Sequence, residues 1–153
     1  MSFPDYVSRS SAKGRLWTQV VFKVKYCHNV FDFEDIKSDC ELLLTETARK
    51  RGIEISSIGF DRNHVHLDVD VGIKSIPEIA RALKGPTAKR LLKKHKWLKA
   101  RYFWGSGFWN PGTFFEGVGR YSKEQLDRYI TVRGRQRRSP LWYNILTDSQ
   151  RRP

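Results

Sequence analysis

His64-Val65-His66-Leu67-Asp68-Val69-Asp70-Val71 is the stretch from which the rest of the chain can be read. Polar and apolar residues alternate strictly through it. A period of two belongs to a β-strand, in which successive side chains point to opposite faces. His64, His66, Asp68 and Asp70 therefore share one face, and Val65, Leu67, Val69 and Val71 the other. The apolar face is expected to pack beneath helices. The polar face presents two imidazoles at i and i+2, side by side, a spacing that lets two nitrogens grip one divalent cation. A chance pair on a solvated strand face has the same pattern, so the motif alone leaves both readings open. A structural zinc site using Cys27 and His28 is a third, with no second spaced Cys/His pair to support it.

Working outward, residues 53–60 read as a strand joined to 63–72 in a hairpin around Asp61-Arg62. Residues 16–26 read as an earlier strand. Thr18, Val20, Phe22, Val24 and Tyr26 fall on its core face, and Gln19, Lys23 and Lys25 on the other. Between these strands, Asp32, Glu34 and Asp35 open a helix, where acids suit the positive end of the dipole. Ile36, Cys40, Leu43 and Leu44 keep helical spacing, and Arg49-Lys50-Arg51-Gly52 stops it. Downstream, Ser75-Ile76-Pro77-Glu78 has the pattern of a capping box. The helix behind it carries Ile79, Ala82 and Leu83, and Gly85-Pro86 predicts a kink or restart. Ala88, Leu91 and Leu92 continue the stripe towards His95. A fourth strand is expected near Thr113–Val118, and Ser122 with Gln125 caps a last helix ending near Val132. The order β-α-β-β-α-β predicts an α+β fold. It is an antiparallel sheet of split βαβ (ferredoxin-like or RRM-like) topology, with helices on one face and the other free for a ligand. A C-terminal helix bears Tyr129. One domain spans 1–153, with 1–14 as a loose polar arm and 137–153 as a basic tail.

Composition narrows the partners. At 153 residues the chain is one ordinary domain, and 39% hydrophobic with 13% aromatic residues is enough for a core. Lys and Arg number 29 against 16 Asp and Glu, a net +13. That excess predicts a polyanionic partner, nucleic acid before an anionic membrane. No apolar run approaches the about 20 residues of a spanning helix, and Met1–Ser11 lacks a secretory signal. Cys27 and Cys40 are too few for a disulfide scaffold. A soluble, reduced, intracellular protein is expected. Lys84, Lys89, Arg90, Lys93, Lys94, Lys96, Lys99 and Arg101 make a dense cationic segment, interleaved with or followed by Trp97, Tyr102, Phe103 and Trp104. Charge that tracks phosphates, mixed with rings that stack on unpaired bases, is the physics of single-strand binding. A solvated helix face with core aromatics is the plainer alternative.

A cation on two histidines keeps positions open for a phosphate oxygen. Chemistry there then needs a nucleophile. Tyr129 lies on the last expected helix beside the docking residues Leu126 and Ile130, with Arg133 and Gln136 following at i+4 and i+7. A phenol with a free pKa of about 10 needs activation by a metal or a base. A tyrosine that merely packs fits the same helix.

The ordered set changes the weighing. His64-Val65-His66 on a strand, the Leu83-Lys84-Gly85 helix, Phe108-Trp109-Asn110, the segment Phe114 to Gly119, and Tyr129-Ile130 on a helix follow in order. Together they resemble the single-tyrosine HUH transposases of small insertion sequences, the TnpA-like group with its REP-associated relatives, over roughly residues 14–136. The resemblance implies an enzyme that cuts and rejoins single-stranded DNA at subterminal hairpins. A tyrosine attacks the scissile phosphate, forming a 5′-phosphotyrosine bond and freeing a 3′-hydroxyl. Carried over by position, His64 and His66 hold Mg2+ or Mn2+, and Tyr129 is the nucleophile. It also implies a homodimer, often with one subunit's tyrosine helix completing the other's histidine site, DNA-associated in a prokaryotic cytoplasm, with no membrane. Two positions depart from the family pattern. Arg133 stands where a Gln commonly supplies a third metal ligand, which leaves Gln136 as the substitute ligand and Arg133 as a DNA contact beside Lys84, Lys89, Arg90, Lys93 and Lys94. Asn63 stands where an Asp often precedes the first histidine. The alternative is a catalytically inactive or domesticated single-stranded nucleic-acid-binding protein of the same fold. An RNA-binding module of this topology would need an aromatic RNP signature where the strand instead carries His64, His66 and Asp68.

Overall fold

The computed structural model describes residues 7–9, 11–103 and 107–118. Its elements run β1 (Val7–Arg9), β2 (Ala12–Gly14), β3 (Trp17–Val24), α1 (Glu34–Lys50), β4 (Glu54–Phe60), β5 (His64–Asp70), α2 (Ile76–Lys94), α3 (Lys96–Tyr102) and β6 (Trp109–Gly117). Strands β3 to β6 form one sheet in the order β4-β5-β3-β6, and every neighbouring pair is antiparallel. The molecule is thus an α+β protein. The expected helix around 122–132, its Tyr129, and the tail 137–153 lie outside the described residues.

The alternation read from the sequence sets the layers. Val20, Phe22 and Val24 of β3 and Val65, Leu67 and Val69 of β5 share a core with Ile36, Cys40, Leu43 and Leu44 of α1 and Ile79, Leu83 and Leu91 of α2. Most are fully buried, and each large aliphatic side chain so buried contributes about 1.5–3 kcal/mol. This burial fixes the register, because slipping a strand by one residue would exchange its faces. Ser75 caps α2 by accepting a hydrogen bond from the Glu78 N–H at 3.2 Å.

Several elements differ from the sequence reading. α2 runs unbroken through Gly85-Pro86. An internal proline costs a helix about 3 kcal/mol, but Ile79, Ala80 and Leu83 before it and Thr87 and Leu91 after it are all buried. Packing on both sides holds one helix. The break falls at His95, whose Nε2 lies 2.6 Å from Asp39 Oδ2 of α1. The first strand stops at Val24, not 26. Tyr26 then sits at φ 61°, 59% exposed, rather than on the core face.

Within the expected loose arm, Val7–Arg9 and Ala12–Gly14 pair as the antiparallel β1–β2 ladder. Arg9 anchors it, donating to Gly14 O at 2.6 Å and to Asp70 Oδ2 at 2.7 Å. Gly72, at φ +62°, lies under that guanidinium; a Cβ there would come within 2.6 Å of Arg9 Cζ. Only glycine suits both the left-handed backbone and the contact. Among the described residues no helix is long and apolar enough to cross a membrane.

Candidate active site

β5 carries the site. Its antiparallel register with β3 sets Lys23 opposite His64, Val21 opposite His66 and Gln19 opposite Asp68; β4 sets Gly59 opposite His66. Directly opposed residues share a face. One face of the sheet therefore gathers His64, His66, Asp68, Gln19 and Lys23, away from the helices. The sequence reading left this face free for a ligand, and in the structure its central side chains are buried. His64 and His66 are each 1% exposed, Asp68 is fully buried, and Lys23 is 8% exposed. The histidine pair is therefore not on a solvated strand face.

The two imidazoles sit with ring centroids 4.8 Å apart and planes at 64°. His64 Nδ1 lies 2.7 Å from Asn63 Oδ1. A carboxamide oxygen can only accept, so Nδ1 is the donor, and in the neutral imidazole the lone pair is then on Nε2. Asp61 Oδ2 is 3.9 Å from that Nε2, beyond hydrogen-bonding distance. Further along, Asp68 Oδ2 accepts from Ser56 Oγ at 2.8 Å. Ser56 reaches it because the β4–β5 register shifts between Ile55 and Ser57, and such bulges re-aim a side chain. Asp70 ends the face as a structural anchor, taking Arg9, the Leu16 N–H at 2.8 Å and the Gly72 N–H at 3.1 Å.

This donor set fits a divalent cation. Two paired imidazoles, one with its tautomer set by an oxygen acceptor, are the usual arrangement around a bound metal. Among the described residues no group of three His, Cys, Asp or Glu could hold such an ion. His64 and His66 would therefore supply two positions and leave others open. Gln136, Arg133 and Tyr129, the sequence-derived partners of the pair, lie outside the described residues.

The cationic residues occupy the opposite layer. Lys89 and Lys93 are exposed on α2. Arg90 pairs with Glu46 at 3.1 Å, and Lys94 with Asp39 at 3.1 Å. The hydrogen bond from His95 holds the Asp39 carboxyl below the usual carboxylate range. Lys84 departs from the expectation of a DNA contact. It is half-buried against Phe22, and its Nζ donates to Asn110 O at 2.7 Å, Gly112 O at 2.9 Å and Thr113 Oγ1 at 3.1 Å. Burial pushes its pKa down to about 8. Lys84 thus clamps the start of β6 onto α2. Of the aromatics, Phe103 belongs to the core, while Trp97 is 41% exposed and packs edge-on against Phe33. A cavity of about 880 Å3 lies between α2 and β6, bordered by Ala80, Lys84, Ala88, Trp109 and Phe115. It is on the helix side of the sheet, away from the histidines.

The sequence reading missed the roles of Asn63, Ser56 and Lys23. Lys23 was legible in principle, since the antiparallel pairing of the first strand with the histidine strand brings it opposite His64. Ser56 depends on a bulge that leaves no pattern in the sequence.

Fold, charge and site together define an α+β protein with a buried histidine pair on one sheet face and a cationic helix layer on the other. The chain belongs to the IS200-like transposase family, whose model matches residues 12–133. It is 30% identical over 112 residues to the ISDra2 transposase TnpA of Deinococcus radiodurans, covering 72% of this chain and 79% of that protein. A crystal structure of a Deinococcus radiodurans protein described as a transposase superposes with TM-score 0.65 at 25% identity, covering 82% of this chain and 95% of the other. A REP-associated tyrosine transposase, solved bound to a REP hairpin, matches in fold with TM-score 0.53 at 16% identity, over 87% of this chain and 72% of that one.

Proposed function

We propose that this transposase cuts and rejoins single-stranded DNA at hairpin ends through a phosphotyrosine link, with Tyr129 as nucleophile. The observation that carries the proposal is the buried His64–His66 pair, its rings 4.8 Å apart. A divalent ion, Mg2+ or Mn2+, held there would polarise a phosphate oxygen and offset the charge that builds in the transition state. The Tyr129 oxygen attacks phosphorus, the P–O3′ bond breaks, the phenolic proton is lost and the departing 3′ oxygen gains one. The covalent 5′-phosphotyrosine conserves the bond energy that rejoining requires, so no ATP is consumed. Gln136 is the proposed further metal ligand and Arg133 a phosphate contact.

Lys89, Arg90, Lys93 and Lys94 are proposed to hold DNA phosphates. They lie on the helix layer and the histidines on the other sheet face, so a strand serving both must pass around an edge of the sheet. A solved protein of this fold holds a hairpin, which supports a hairpin-bearing substrate. The strand order β4-β5-β3-β6, with two crossing helices, supports the split βαβ description. The working unit proposed is a homodimer, DNA-associated in a prokaryotic cytoplasm.

Labelled single-stranded DNA carrying a hairpin, incubated with the protein and Mn2+, should yield a covalent adduct on a denaturing gel. His66→Ala should lose the adduct and keep hairpin binding. Hairpin binding with no adduct from the wild-type chain would instead favour the inactive DNA-binding relative.

A further inference from the structure

We propose that Asn63 is the positioning residue that fixes His64 as an Nε2 metal ligand. The proposal rests on reading His64 and His66 as cation ligands, and it adds a residue outside that pair. Asn63 is the last residue before β5 and is itself buried, 7% exposed. Its main-chain oxygen accepts from the Val24 N–H at 2.8 Å, and the adjoining Arg62 oxygen accepts from the Phe31 N–H at 3.1 Å. The backbone that carries the Asn63 side chain is therefore tied at two points, to the end of β3 and to the turn before α1.

Among the described residues, Asn63 and Asp61 both bear on where the His64 proton sits. Asn63 Oδ1 lies 2.7 Å from Nδ1, a full hydrogen bond. The Asp61 carboxylate, 3.9 Å from Nε2, is too distant for one, yet its charge favours a proton on that nitrogen. A neutral imidazole has one N–H to place. With Asn63 present, the buried hydrogen bond outweighs the longer-range attraction. The proton stays on Nδ1 and the Nε2 lone pair faces the site. Without it, the Asp61 charge draws the proton towards Nε2, and the lone pair turns to the wrong nitrogen. The carboxamide does this without adding a second anion beside Asp61. A carboxylate at the same place would keep the tautomer and make the imidazole a stronger ligand.

The test uses the full chain and two readouts. In the metal-free protein at alkaline pH, where imidazole is neutral, 15N NMR should find His64 protonated on Nδ1 in the wild type. Asn63→Ala should shift it towards Nε2, and Asn63→Asp should keep it on Nδ1. Mn2+ titration followed by the free-ion EPR signal should show affinity falling about 10- to 100-fold in Asn63→Ala and rising above wild type in Asn63→Asp. Asn63→Asp keeps volume and acceptor, so it decides the matter alone if the Ala variant does not fold; weaker Mn2+ binding in it would overturn the proposal. Nε2 protonation in the wild type would also overturn it. So would unchanged tautomer and affinity in Asn63→Ala with Mn2+ binding intact, and that result would spare the metal reading. A wild-type chain that binds no Mn2+ would bring down the metal reading itself, and this proposal with it.

Discussion

Lys84→Met removes an ammonium that donates to Asn110 O at 2.7 Å, Gly112 O at 2.9 Å and Thr113 Oγ1 at 3.1 Å, and it keeps a stem of similar length. Hydrogen bonds from a charged donor contribute about 1.5–3 kcal/mol each. Two effects oppose them. Burial lowers the amine from 10.5 to about 8, and each unit corresponds to about 1.4 kcal/mol. The side chain is only half-buried, so solvent screening leaves roughly half of that penalty. Water can also reach the exposed carbonyls once the ammonium is gone. The net expectation is a loss of about 1–3 kcal/mol, read as a lower urea midpoint at constant m-value. The pH dependence has a definite sign. Below about 8 the amine is charged in both states and its burial cost is fully present. Between there and the unfolded value of 10.5 the unfolded chain holds more protons, so wild-type stability rises with pH relative to the Met variant. DNA binding should behave differently. Lys89→Ala and Lys93→Ala should leave stability within about 0.5 kcal/mol and each reduce the salt slope of single-strand affinity by about 0.7. A Lys84→Met protein with native stability and a reduced salt slope would refute the clamp and return Lys84 to the DNA surface.

Asp70→Ala should destabilise the fold by about 3–5 kcal/mol in urea unfolding, because its fully buried carboxylate holds Arg9 at 2.7 Å and the Leu16 N–H at 2.8 Å; a loss under about 1 kcal/mol would contradict its anchoring role. Pro86→Ala should raise the melting temperature, gaining about 1–2 kcal/mol by restoring a helical N–H. A lowered melting temperature would argue against an unbroken α2. Asp39→Asn removes the carboxylate that accepts from His95 at 2.6 Å. The depressed Asp39 pKa contributes stability above the unfolded value of about 3.9 and loses it as pH falls through the lower folded value. The wild-type advantage over Asp39→Asn should therefore shrink in acid, and a gap that stays constant would be the wrong result.

The legible parts of this chain are those where burial alone decides. The period-two pattern of His64 to Val71 located β5, both of its faces and the paired imidazoles. The helical spacing of Ile36, Cys40, Leu43 and Leu44 located α1 and its buried side. Reading failed where a distant contact overrules a local signal. Gly85-Pro86 is a strong stop by itself, and only the burial of Leu83 and Leu91 around it keeps α2 continuous. The Ser-rich arm looked loose because the partner that orders Arg9 is Asp70, distant in the sequence. Lys84 reads like its cationic neighbours until β6 supplies three oxygens to one ammonium. At the site, the histidines were legible from alternation. The roles of Asn63 and Ser56 were not, since one is a side-chain hydrogen bond to the next residue and the other follows from a bulge.

Mass spectrometry of the trypsin-digested DNA adduct tests the central claim most directly. Arg128 and Arg133 bracket Tyr129, while Tyr121 lies between Arg120 and Lys123, so cleavage after basic residues places the two tyrosines on separate peptides. Wild-type protein incubated with hairpin-bearing single-stranded DNA and Mn2+ should yield the Tyr129 peptide carrying a 5′-linked nucleotide, and Tyr129→Phe should yield no modified peptide. A nucleotide on the Tyr121 peptide, or a modified peptide persisting in Tyr129→Phe, would contradict the account.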